Sequence, residues 1–134
     1  MTDSYLAHHL ELLKYLQQVL VALAQEDMIP EEHNEFLERY ADMITEFSQS
    51  QEALYLGQEM ISQVFQRYPQ IAHQVPRDLL WFFGGECLHY MPDEEIALFQ
   101  QLEERRFESL ERGESFDWNE EVQLTFMPTK QTAH

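Results

Sequence analysis

A chain of 134 residues, 44% apolar and 13% aromatic, is long enough to enclose one sizeable core and too short for two ordinary domains. Its net charge of −17, from 25 acidic against 8 basic residues, repels nucleic-acid phosphates and anionic membrane surfaces, which excludes direct binding to either. The single cysteine, Cys87, excludes an intramolecular disulfide and a cysteine-rich zinc site.

Only 4 Gly and 5 Pro punctuate the chain. With few β-branched runs, this predicts long helices and few tight turns. The start, Met1-Thr2-Asp3-Ser4, has no basic region before its apolar run, and polar residues interrupt that run every few positions. This predicts neither a secretory signal nor a membrane span, and a cytoplasmic location is expected.

Helix one is expected from Ser4 to about Gln25. Leu6, Leu10, Leu13, Leu16, Leu20 and Leu23 recur at helical spacing, and Leu12, Tyr15, Val19 and Ala22 form a second apolar stripe beside them. Two apolar faces suit a helix that is central or shared with another subunit, so a homodimer through helix one is expected. Helix two is expected to begin near Pro30 and to bury Phe36, Leu37, Tyr40, Met43, Ile44 and Phe47. Ser48 and Gln51 have capping-box spacing, which predicts a break there, with one continuous long helix as the alternative.

Helix three is expected over about Glu52 to Tyr68, with Leu54, Ile61, Phe65 and Tyr68 inward. Gly57 falls on that stripe. Since glycine inside a helix costs about 1 kcal/mol against alanine, its presence predicts the close approach of a neighbouring element. Residues 69–75 read as a connector anchored by Ile71 and Val75. Helix four is expected from Pro76 to just before Pro92, kinked or closely packed at Gly84-Gly85.

Helix five is expected from Asp93 to Arg112, acidic at its start, followed by Gly113, with Ile96, Phe99, Leu102, Phe107 and Leu110 on its buried face. In the tail, Asp117 and Glu120 have capping-box spacing, whereas Val122, Leu124 and Phe126 alternate as an extended segment would; Phe116 and Trp118 are expected to fold back. The domain is expected over residues 1–126, with residues 127–134 frayed. The fold class is all-α: a compact bundle of four to five mainly antiparallel helices with a docked C-terminal tail.

Chemistry-bearing residues concentrate in the most apolar run, residues 79–91. Glu86-x-x-His89 places a carboxylate and an imidazole on one helical face, the spacing with which a helix can hold a metal ion. Di-iron bundles use two such helices and two further glutamates; this chain has one copy. Cys87 and His89 are two apart and point to different sides, so they form no nucleophile–base pair, and Cys87 reads as a small buried thiol. His8, His9 and His33 lack zinc spacing and are expected mostly to face solvent, with His33, one turn before Phe36 and Leu37, placed where it can edge the core. The aromatic residues read as core before they read as a ligand pocket.

No catalytic residue and no cofactor are expected. The leading function is a non-enzymatic cytoplasmic interaction or regulatory protein that presents an acidic helical surface to a protein partner bearing a basic patch. One alternative is a small metal or ligand site at Glu86 and His89. Another is an acidic DNA mimic, which needs carboxylates spaced along one face.

Overall fold

The computed structural model describes residues 4–23, 32–47 and 52–126. All regular structure among the described residues is helical: α1 (Ser4–Ala22), α2 (His33–Phe47), α3 (Glu52–Arg67), a 3-10 helix at Pro69–Gln74, α4 (Arg77–Phe83), a second 3-10 helix at Gly85–Tyr90, α5 (Asp93–Glu111) and α6 (Trp118–Phe126). Among these, no helix is long and apolar enough to cross a membrane. The start of helix two at Pro30, the break at residues 48–51 and the frayed end at 127–134 fall outside the described residues.

The chain divides into two compact units, one of residues 9–91 and one of residues 1–8 with 92–134. In the first unit, α1 buries Leu13, Leu16 and Leu20 from the first of the two apolar stripes, and Leu23, just past its end, is buried as well. The second stays largely uncovered: Tyr15 and Ala22 are exposed and Val19 half-buried. Across from the buried leucines, α2 buries Phe36, Tyr40, Met43 and Phe47. The Tyr40 hydroxyl donates to the Leu13 carbonyl at 2.8 Å, and burial raises its pKa well above the ordinary phenol range, so it stays a neutral donor.

His33 lies inside the core, beyond the edge position that its place before Phe36 and Leu37 offered. It is 1% exposed, with Nε2 2.9 Å from the Leu20 carbonyl and Nδ1 3.0 Å from the Tyr68 hydroxyl. A carbonyl only accepts, so Nε2 carries the proton and Nδ1 accepts from Tyr68. Leu20 lies in the last turn of α1, whose carbonyls have no partner within the helix. A side chain from α2 therefore satisfies the end of α1 and ties it to the end of α3. His9 is also buried, because its ring stacks on Phe82 with centroids 4.4 Å apart.

Gly57 has the role its position predicts. A Cβ there would lie 2.6 Å from Phe83 Cζ and closer still to Cε1, so α3 approaches the Phe83 ring at a distance only glycine permits. Gly84 is different: a Cβ would meet only the Trp81 carbonyl oxygen, at 3.9 Å. Its backbone sits at φ 64°, ψ −150°, and Gly85 follows at φ 55°. Two successive positive φ values end an α-helix. The expected helix four is therefore two elements, with a glycine break where a kink was expected.

In the second unit, α5 begins after Pro92 and buries Phe99 and Leu102. Phe107 and Leu110, expected on the same buried face, are exposed; they lie two turns beyond the covered pair. The alternating tail is helical, not extended. Asp117 Oδ1 accepts the Glu120 N–H at 3.1 Å, so the cap decides the conformation over the alternation. Trp118 is buried against Tyr5 and Phe99, at centroid distances of 4.9 and 6.2 Å. Arg106 lies 3.9 Å over the Tyr5 ring while its Nη2 is 2.7 Å from Glu103 Oε2.

Candidate functional site

The glycine break sets the site. After Gly84 and Gly85, the chain winds as a 3-10 helix, in which residues three apart eclipse one another. Glu86 and His89 therefore share a face, and that face forms one wall of a groove of about 570 Å³, together with Tyr90. The other wall is a stripe of α3: Tyr55, Gln58, Glu59, Ser62, Gln63 and Gln66. These positions lie on the side of α3 away from the buried Met60, Ile61 and Val64.

The walls are fixed to each other. Gln58 Nε2 donates to the Phe83 carbonyl at 2.8 Å, and Cys87 Sγ lies 3.7 Å from the Gln58 carbonyl oxygen. A Cβ on Gly85 would meet Gln58 Oε1 at 2.9 Å, so this glycine also makes room for the clamp. Arg77 Nη2 donates to the Tyr90 carbonyl at 2.9 Å, which ties the end of the 3-10 helix back to the start of α4. Tyr90 stacks flat on Phe65, with centroids 4.1 Å apart and an interplanar angle of 8°.

Cys87 faces inward and is fully buried. Burial pushes its thiol up to about 11, a hydrogen bond from Ser62 offsets part of this, and the Glu86 charge adds to it. A thiol held protonated is a poor nucleophile.

Glu86 and His89 both line the groove and are exposed there. Among the described residues, no trio of His, Cys, Asp or Glu ligand atoms within 4.8 Å of one another includes either. Two donors fall short of the three protein ligands that even an open zinc site uses. What spacing did not reveal is Gln63, whose Oε1 is buried and without a hydrogen-bond partner. Buried polar atoms are normally satisfied, so this acceptor stands out. No Lys or Arg lines the groove.

A hollow in the other unit, of about 370 Å³, is lined by Arg105 and Arg112 among Glu108, Asp117, Glu120 and Glu121. Both arginines are engaged, Arg105 with Glu121 and Arg112 with Glu114, each at 3.2 Å. Its mixed charge selects no ligand sign.

The outward face of α2 carries a row of exposed carboxylates: Glu35, Glu38, Asp42 and Glu46. Steps of three, four and four residues keep them on one side of the helix. Among the described residues, no ion pair engages any of the four.

Comparison with curated proteins finds no match, and comparison with solved structures finds none. The family model described as PA2817-like matches residues 1–134, and the chain belongs to the PA2817-like family.

Proposed function

We propose that this protein is a non-enzymatic, cytoplasmic, all-helical interaction module that presents an acidic surface to a protein partner bearing a basic patch. The observation that carries the reading is the α2 row: four exposed carboxylates on one face, backed by a buried face that fixes the helix. None of the four makes an ion pair among the described residues, and Arg39, the one cation set among them on α2, is itself paired with Glu59. The row therefore attracts a basic surface at long range and meets it with several charges at once.

The test neutralises the row, with Glu35→Gln, Glu38→Gln, Asp42→Asn and Glu46→Gln together. Affinity capture from the native host should recover a basic partner with the natural chain, lose it with the neutralised chain, and weaken as salt is raised. Undiminished capture by the neutralised chain would overturn the reading. Phosphate mimicry is the second reading, favoured by the same single-faced row. It predicts that the captured partner binds DNA and that this protein competes with the DNA.

Self-association through helix one is proposed on the uncovered Tyr15, Val19 and Ala22 stripe. Sedimentation showing a monomer at micromolar concentration and above would remove it.

A further inference from the structure

We propose that the groove between α3 and the Gly85–Tyr90 3-10 helix anchors an arginine side chain of the protein partner. This rests on the reading of a basic protein partner and gives that partner a specific contact, apart from the α2 row.

The lining selects the ligand by exclusion. Carboxylates Glu59 and Glu86, with no Lys or Arg in the walls, exclude an anion. The polar wall of Gln58, Ser62, Gln63 and Gln66 is a poor seat for an apolar group, whose burial would strip these side chains of water. The carboxylates of Glu59 and Glu86, both exposed, only accept hydrogen bonds and call for a donor from the occupant.

The occupant is therefore cationic and rich in N–H donors. A guanidinium fits better than an ammonium for two reasons. It presents five donors in one plane, which matches acceptors distributed over two facing walls. It is also flat, and the groove edge carries the Tyr55 ring, 75% exposed, and the Tyr90 ring held in place by Phe65. Planar cations stack on such rings. Glu59 already draws a guanidinium, since Arg39 Nη2 lies 3.6 Å from its Oε1. Among the described residues, Glu86 has no ion-pair partner and is the principal anchor.

The test is a titration of isotope-labelled protein with the capped peptide acetyl-Gly-Arg-Gly-amide, followed by NMR. Shifts should concentrate at Tyr55, Gln63, Glu86 and His89, and the norleucine peptide should produce none. Glu86→Gln should weaken binding about tenfold or more, the scale of one charge-assisted hydrogen bond. Tyr55→Ala should weaken it while leaving the melting temperature near that of the natural chain, because the ring is 75% exposed; that separates lost binding from lost folding. No groove shift at millimolar peptide, or equal shifts with norleucine, overturns the proposal. Ethylguanidine, which carries the same planar cation without a backbone, should shift the same groove residues, and shifts from the peptide but none from ethylguanidine would overturn the assignment to the side chain. If row neutralisation abolishes partner capture while Glu86→Gln leaves it intact, the groove assignment fails alone. If the peptide binds the groove while the row-neutralised chain keeps its partner, the α2 reading fails and the groove stands.

Discussion

Gly57→Ala sets two effects of known size against each other. Alanine is the better helix residue, and propensity alone makes the change stabilising by about 1 kcal/mol. Packing works the other way. The added methyl would stand 2.6 Å from Phe83 Cζ and 3.0 Å from Cδ1, about 1 Å inside the 3.5–4.0 Å at which carbon atoms make optimal contact. The ring has little room to retreat: it is 5% exposed, with Phe82 at 5.3 Å and Phe47 at 6.0 Å between centroids. Relief must come from α4 moving off α3, and overpacking of this kind costs about 1–3 kcal/mol. The expected net result is a destabilisation of up to about 2 kcal/mol, a fall in melting temperature of up to roughly 7 °C for a chain of this size. Urea and thermal denaturation of Gly57→Ala, Phe83→Leu and the double variant give the coupling directly. The double variant should recover about 1 kcal/mol relative to additivity. A melting temperature that rises in Gly57→Ala would show that propensity wins, and the close approach of Phe83 would be refuted as the reason for the glycine.

His33→Phe keeps the ring but strands the Leu20 carbonyl and the Tyr68 hydroxyl in the core; it should cost about 2–4 kcal/mol in urea denaturation, and a cost near zero would mean these groups rehydrate. Burial raises the Cys87 thiol from 9.0 to about 11 and raises Tyr40 and Tyr68 as well. The folded state therefore holds these protons more tightly, and the stability they contribute is complete below about pH 9; the Cys87 part is lost as pH climbs from 9 through 11, and the Tyr40 part goes on being lost above that. Cys87 alone accounts for roughly 2–3 kcal/mol of that loss, so Cys87→Ala should flatten the alkaline limb of a stability–pH curve, and an unchanged slope would refute the assignment. With a net charge of −17, the melting temperature should rise as sodium chloride goes from 0.01 to 0.15 M, because the Debye length falls from about 30 to 8 Å; a flat response would mean the charges are balanced locally.

Helical periodicity made α1, α2, α3 and α5 legible from apolar spacing alone, because each buries one face and the period of 3.6 is written in the residues that do so. Local chemistry also carried the Asp117 cap and the exceptional role of Gly57. Other features needed contacts far apart in the chain. The hydrogen bond between His33 and Tyr68 spans 35 residues, and nothing within one turn of His33 announces it. The exposure of Phe107 and Leu110 depends on where neighbouring elements stop covering α5. Glu86 and His89 were legible as a pair, but their groove was not. Its second wall is the polar side of α3, which by spacing alone reads as a solvated face. Only the positive-φ turn at Gly84 and Gly85 brings the two walls together.

That turn links packing to the groove through one short path. Gly57 lets Phe83 close on α3. The Phe83 carbonyl then accepts from Gln58, one residue further along α3, at 2.8 Å. The chain leaves the α-helix at the next residue, Gly84, and the 3-10 helix that follows carries Glu86 and His89 in the groove lining opposite the α3 stripe. Displacing Phe83 by a methyl at Gly57 should lengthen this hydrogen bond and let the 3-10 wall drift. Arginine-peptide affinity should then fall in Gly57→Ala by more than global stability explains. The control is Met43→Ala, which removes a fully buried side chain of α2 away from the groove lining and should cost about 2–5 kcal/mol of stability. Under conditions where both variants remain folded, Gly57→Ala should bind the peptide several-fold more weakly than the natural chain, while Met43→Ala should match it. Equal affinity in all three would show that the groove does not depend on the Phe83 contact, and would assign its shape to the backbone turn at Gly84 and Gly85 alone.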